Sequence, residues 1–423
     1  MLRRLLASLA VLVLPQLFAA SASAQLITEF ALSRSSSLPW GITGGPDGNV
    51  WFAEANADRI GVITPDGTIT EYPLPNAKSV PEEITVGPDG NLWFTEIVGR
   101  VGRITPSGTI TEFTLRPGKL IPKSITTGPD DNLWFAERTA NYIAHITTRG
   151  AVAEFPVPTA FSRPQGIAAG PDGNLWFTEV VGNKIGQITT RGVVREFAVP
   201  TASSEPTGIT AGPDGNLWFT ELLGNKIGMI SPAGAVTEFK IATAKSGPTG
   251  ITVGPDGNLW FTEADSDKIG QITPHGMITD YSVPTVKGAP TGITTGPDGN
   301  LWFTELGSGK IGRLTLPGST PRPTATATAT ATQAPVPGTP GACSGDCNGD
   351  GMVTIDDLVR LVSVALGNSA ATDCPAGDVD HDRRISVDEV LLAIRSALDG
   401  CAASDVYPAG VPAVLRDPAL AVP

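Results

Sequence analysis

Two acidic twelve-residue segments near the C-terminus carry the sharpest chemistry in the chain. The first sets oxygen donors at Asp346, Asn348, Asp350, Thr354 and Asp357, with Gly351 at the sixth position and the carbonyl of Met352 at the seventh. The second repeats the spacing with Asp378, Asp380, Asp382, Ser386 and Glu389 and the carbonyl of Arg384. Hard oxygen ligands at positions 1, 3, 5, 7, 9 and 12 form a calcium-binding loop. Each loop runs into an apolar stretch at helical spacing, Leu358-Val359-x-Leu361-Val362 and Val390-Leu391-Leu392-x-Ile394, so an EF-hand pair holding two Ca2+ ions is expected. The loops are unequal. Asp357 is shorter than the usual glutamate at position 12, and Arg383 occupies the turn position where glycine is normal. A left-handed Arg383 costs roughly 1–2 kcal/mol. Eleven acids face four arginines across 342–401, which couples folding of this region to cation binding.

The other candidate groups are visible only against a repeat. Trp-Phe pairs begin at Trp51, Trp93, Trp134, Trp176, Trp218, Trp260 and Trp302, 41 or 42 residues apart. Before most of them stands Gly-Pro-Asp-Gly-Asn, turn chemistry in which Pro fixes φ and Asp-Gly admits a positive one. Runs of four to six residues lie between the turns, such as Leu217-Trp218-Phe219-Thr220 and Ile227-Gly228-Met229-Ile230, and these lengths suit strands. Four short strands in about forty residues make a propeller blade. The Trp-Phe strand and the Ile-Gly-x-Ile-Thr strand each occur seven times. So does the Thr-Glu-Phe strand, but its first copy, 27–30, precedes the first blade and none follows Thr315. Ring closure resolves the mismatch: the N-terminal strand completes the last blade and covers an edge that would otherwise stay open. The expected fold is an all-β seven-bladed propeller so closed, plus a small α-helical EF-hand domain. The Trp-Phe side chains are expected to fill the space between blades, each worth roughly 1.5–3 kcal/mol of burial. The Asp-Gly-Asn segments are read as turns, because they lack the further carboxylates of a calcium site.

Seven copies provide an internal comparison. The residue x of Pro-x-Gly, entering the innermost strand, reads Trp40, Glu82, Lys123, Gln165, Thr207, Thr249 and Thr291 around the ring. Innermost strands line the central channel, and channel mouths bind ligands. Trp40, Glu82, Glu83, Lys123 and Gln165 are therefore the candidate ligand site, for a small molecule, peptide or glycan. A second ring, three residues after each tryptophan, is Glu54, Glu96, Glu137, Glu179, Glu221, Glu263 and Glu305. These carboxylates are expected to pair with nearby lysines or turn amides rather than with metal. His145 falls in a strand and His275 in a turn.

Composition sets the compartment and excludes some partners. Gly 49 and Pro 37 in 423 residues rule out a helical bundle, and a net charge of −13 disfavours nucleic acid. Residues 1–24 read as a signal peptide: Arg3-Arg4, an apolar run interrupted by Pro15, and Ala22-Ser23-Ala24 before Gln25. The apolar run is shorter than a membrane span, so a secreted or periplasmic protein without membrane insertion is expected. The four cysteines, Cys343, Cys347, Cys374 and Cys401, all lie in the tail. Two disulfides in any of three connectivities are expected, with a zinc site as the poorer-fitting alternative. The propeller then spans 25–317, a Pro/Thr/Ala linker 318–341, the calcium-binding pair 342–401 and a disordered tail 402–423.

Repeats reading G-I-T-x-G-P-D-G-N-L-W-F-T-E, N-K-I-G-x-I-T and V-T-E-F over roughly 26–316 resemble those of the virginiamycin B lyase (streptogramin lyase) family. The resemblance implies a seven-bladed propeller that opens a cyclic depsipeptide at its ester by elimination, with Mg2+ and a histidine base. The family's histidines stand at x of the last two blades, where this chain has Thr249 and Thr291, and a threonine is no general base near neutral pH. One metal carboxylate of the family corresponds to Ala289, and the other matches Glu305 only with a one-residue offset. In the fifth blade Glu205 takes the metal position with Glu221 following, so Glu205, Glu221 and Glu305 are the magnesium candidates. The tail resembles a dockerin, which implies a cohesin-type partner. A secreted binding propeller tethered to a calcium module is the reading; a lyase opening a depsipeptide or lactone with Mg2+ is the alternative.

Overall fold

The structure, a computed structural model, describes residues 27–116, 120–316 and 358. The chain divides into two units, Met1–Thr326 and Ala327–Pro423. The calcium loops, the four cysteines, the linker, the signal segment and the C-terminal tail lie outside the described residues, Leu358 apart.

Residues 27–316 build seven four-stranded antiparallel sheets. Blade 5 shows the local rules. Leu217–Glu221 is flanked by Pro206–Ala211 inside and Lys226–Ile230 outside, with Val236–Lys240 outermost. Its turn is fixed by one carboxylate: Trp218 Nε1 donates to Asp214 Oδ1 at 3.1 Å, and Asn216 Nδ2 donates to Asp214 Oδ2 at 2.8 Å. Gly215 between them has φ +77°, where a side chain would be strained. The tryptophan of each of the seven Trp-Phe pairs donates to the aspartate four residues earlier, so these acidic turns orient indoles as the turn reading expects. The glycine of Ile-Gly-x-Ile is required by packing. Gly228 lies opposite Phe219, and a Cβ there would stand 2.1 Å from the ring.

Tryptophan and phenylalanine face opposite sides of each sheet. Trp218 packs with Ile251, Leu259 and Phe261 of blade 6, and Trp302 with Ile42 and Phe52 of blade 1. One such cluster sits at each of the seven interfaces, so the core is a ring of wedges. Closure follows the strand count. Ile27–Ala31 pairs antiparallel with Lys310–Leu314, from Ile27 opposite Leu314 to Ala31 opposite Lys310. It also completes a polar clasp: Glu29 accepts from Lys310 Nζ at 2.7 Å and from the Thr285 backbone N–H at 2.9 Å. Blade 4 makes the same clasp, Glu196 accepting from Lys184 and from Thr159 of the loop that enters the blade. No helix among the described residues is long and apolar enough to cross a membrane.

Candidate functional site

Each innermost strand opens with a β-bulge. In blade 2, Pro81 lies opposite Glu96 and Ile84 opposite Phe94, with the register slipping between them, and the other six blades repeat this. The bulge sets every x of Pro-x-Gly at the same end of its innermost strand, and successive innermost strands are neighbours around the ring, so the seven residues form one collar. The collar is tied from blade to blade. Thr304 Oγ1 donates to the Trp40 carbonyl, Thr178 to that of Thr207, Thr220 to that of Thr249 and Thr262 to that of Thr291, each at 2.7 Å.

On blades 1–3 the collar carries charge. Lys123 Nζ donates to both carboxylate oxygens of Glu82 at 2.6 Å, and the ammonium lies 5.9 Å from the Trp40 ring centroid. Glu83 takes the place of the bulge glycine, with its backbone N–H donating to Thr95 Oγ1 at 3.2 Å. Its carboxylate folds over blade 1, where a Cβ on Gly41 would come within 2.7 Å of Glu83 Oε2. Burial in the hub, reinforced by the Glu82 charge and opposed by Lys123, pushes Glu83 up to about 8. The structure thus brings Trp40, Glu82, Glu83 and Lys123 together. Gln165 takes the equivalent bulge of blade 4, without a hydrogen bond to those four among the described residues. On blades 5–7 the collar consists of hydroxyls engaged with the fold. Thr207 and Thr220 share a hydrogen bond of 2.9 Å, Thr249 and Thr262 one of 2.8 Å, and Thr291 Oγ1 donates to the Ala289 carbonyl at 2.9 Å.

The glutamate ring departs from its expected pairing. All seven side chains are buried, and the third-strand cations reach past them to the outermost strand: Lys184 to Glu196, Lys226 to Glu238, Lys310 to Glu29 and Arg59 to Glu71. Among the described residues only Glu96 keeps a cation, Arg100 at 3.2 Å. Desolvation, with the outer-strand acid as a further cause in most blades, pushes these carboxyls up to about 7, and Glu137 to about 8.

A cleft of about 840 Å³ opens beside Glu82 and Lys123. Arg138, Phe161 and Arg163 line it. These three lie off the innermost strands that carry the collar, in the turns and loops beside them, so the collar pattern does not reach them. The signal was present: at the position of Phe161 the other blades carry Lys78, Lys119, Ser203, Lys245, Lys287 and Ser36.

The virginiamycin B lyase family matches residues 21–209 and 169–343. The chain belongs to this family. A streptogramin B lyase structure is 38% identical with a TM-score of 0.67, covering 69% of this chain and 98% of that one. The Staphylococcus aureus virginiamycin B lyase is 42% identical, with a TM-score of 0.66, and covers 69% of this chain and 99% of its own. A second structure of that enzyme, at the same identity and coverage, is of a form made catalytically inactive by replacing a histidine with alanine and holding quinupristin. Hydrazine synthase of Kuenenia stuttgartiensis, at 16% identity and TM-score 0.56 over 67% of this chain and 97% of that one, shares the fold alone. No curated protein matches.

The magnesium that the lyase family implies does not fit the residues of blade 7. Ala289 offers no carboxylate, and the buried Glu305 has Oε2 bonded to Ser308 Oγ at 2.8 Å and its carboxyl pushed up to about 7 by burial. In blade 5 Glu221 pairs in register with Pro206, next to Glu205. Among the described residues no group of three or more His, Cys, Asp or Glu could hold a metal ion. His145 stacks on Trp134 at 4.8 Å in blade 3, and His275 is exposed in a turn, so neither stands at the collar.

Proposed function

We propose that the protein is a secreted binding propeller, which recognises a small molecule, peptide or glycan at the collar of blades 1–4 and does not turn it over. The observation that carries this reading is the state of Thr249 and Thr291. They stand where the resemblance puts the lyase histidines, and their hydroxyls are spent on Thr262 and on the Ala289 carbonyl. A neutral hydroxyl so engaged cannot take a proton from a substrate carbon near neutral pH. The asymmetry of the collar supports recognition: charge and an aromatic ring lie on one side, and uniform threonines on the other. The signal segment and the two twelve-residue loops complete the proposal. The propeller is exported and linked to a dockerin-like pair that holds Ca2+ and docks a cohesin-type partner. Quinupristin, held by the Staphylococcus aureus relative, is the first ligand to try. A thermal-shift screen of cyclic peptides, glycans and small metabolites tests the site. Ligands stabilising the wild type should lose that effect in Glu82→Ala and Lys123→Ala, and ligands bound equally by both variants would remove the collar from the account.

A further inference from the structure

The departures from the repeat do not end at the collar. Arg138 follows Glu137, where the other blades carry Ala55, Ile97, Val180, Leu222, Ala264 and Leu306. Arg163 precedes the bulge proline, where they carry Leu38, Val80, Ile121, Glu205, Gly247 and Ala289. Two arginines therefore stand where no other blade has a cation, and both line the cleft of about 840 Å³. Neither forms an ion pair among the described residues. Phe161 lines the same cleft and is 83% exposed.

The loop presenting Phe161 and Arg163 is held by its neighbours. Phe161 and Arg163 are held at φ +57° and +56°, a region that bulky residues rarely occupy. Between them the buried Ser162 donates its backbone N–H to Asn141 Oδ1 at 2.8 Å, and its carbonyl accepts from Val181 at 2.9 Å. The same pair of positive-φ positions recurs in the entry loops of other blades, at Lys78/Val80, Ser203/Glu205 and Lys287/Ala289, so the conformation belongs to the repeat and fixes where Phe161 and Arg163 stand.

Charge decides the class of ligand. Lys123 is neutralised by Glu82, so the cleft keeps two uncommitted guanidinium groups on a chain of net charge −13. A local positive site in an acidic protein concentrates anions. The planar guanidinium fork matches carboxylate and phosphate oxygens. Ile97, Ile121, Phe161 and Val181 supply apolar wall to this open cleft. From this juxtaposition we infer that the cleft across blades 2 to 4 binds an amphipathic oxyanion, its carboxylate or phosphate on Arg138 and Arg163 and its apolar body against Phe161. This rests on the reading of the propeller as a binding protein and names the class of its ligand.

Titration calorimetry of the full mature chain with 2-naphthoate, 2-naphthyl phosphate and the neutral 2-naphthamide tests it. At least one anion should bind ten-fold or more tightly than the amide, and the better anion identifies carboxylate or phosphate as the natural head group. The double variant Arg138→Gln/Arg163→Gln should abolish that preference. Phe161→Ser, the residue of blade 5, should weaken anion and amide alike, and Lys245→Gln at the equivalent position of blade 6 should change neither. Equal affinity for anion and amide, a preference that survives the double variant, or no binding of any probe overturns the anion assignment. If the arginine variants bind normally while Glu82→Gln and Lys123→Met do not, the collar remains a site and only the ligand class falls. If neither pair alters affinity, both readings fail.

Discussion

Replacing Glu179 with glutamine should stabilise the propeller at alkaline pH and leave it nearly unchanged at acid pH. Glu179 ends the strand Leu175–Glu179 wholly out of solvent. Neither oxygen meets a hydrogen-bond donor, because the nearby Ser162 hydroxyl gives its proton to Asn141 and Lys184 is bonded to Glu196. Burial, with the Glu196 charge adding to it, outweighs the nearby Ser162 hydroxyl and the Lys184 charge and raises the carboxyl from 4.5 to about 7. A carboxyl whose folded pKa lies above its unfolded value favours the fold while protonated. Its contribution is intact below pH 4.5, declines between 4.5 and 7, and is gone above. At 1.36 kcal/mol per unit the loss amounts to about 3 kcal/mol. Glutamine keeps the shape and removes the titration. At roughly 2 °C per kcal/mol for a domain of this size, calorimetric scans should place the Glu179→Gln midpoint about 6 °C above wild type at pH 8 and level with it at pH 4.5. A shift of equal size at both values, or a lower midpoint at pH 8, would refute the reasoning. The outer-strand acid Glu196 acts in the opposite sense. Hydrogen bonds from Lys184 and Thr159 hold Glu196 below its usual range against a desolvation that raises it, so its contribution is present above pH 4.5 and lost as pH falls.

Three further outcomes are expected. Asp214→Ala leaves the Trp218 indole N–H without its acceptor and should cost about 1–3 kcal/mol in urea unfolding at pH 7. Lys123→Met strands the mostly buried Glu82 and should cost about 3–5 kcal/mol, most of it recovered in Lys123→Met/Glu82→Leu, as a double-mutant cycle would read. Calorimetry of the full chain should register two Ca2+ ions, and Glu389→Ala should remove one of them while leaving the propeller's melting transition in place.

The wheel was legible because its rules are local and repeated. The Trp-Phe spacing gives the blade, the acidic turn its hairpin, and the leading copy of the Thr-Glu-Phe strand its closure. The collar could be located for a similar reason, since one bulge recurs seven times and its departures from the repeat, at x and at Glu83, stand out. Partner choice among charges was less accessible. Lys184 lies opposite Glu179 in register, yet its ammonium reaches one strand further to Glu196, where Thr159 completes the clasp. Side-chain reach across a twisted sheet is not written in strand order. The cleft was missed for a different reason. Arg138 stands in a hairpin turn of blade 3 and Arg163 in the loop entering blade 4, and only folding shows that the two segments share a wall.

The most direct test of a hub that holds without cutting is to incubate the purified chain with quinupristin and Mg2+ at neutral pH and follow the cyclic and ring-opened forms by reversed-phase chromatography. The ring should stay closed throughout the incubation. Ring-opened product accumulating with repeated turnover, and persisting in Thr249→Val and Thr291→Val, would mean that another group in the hub serves as the base.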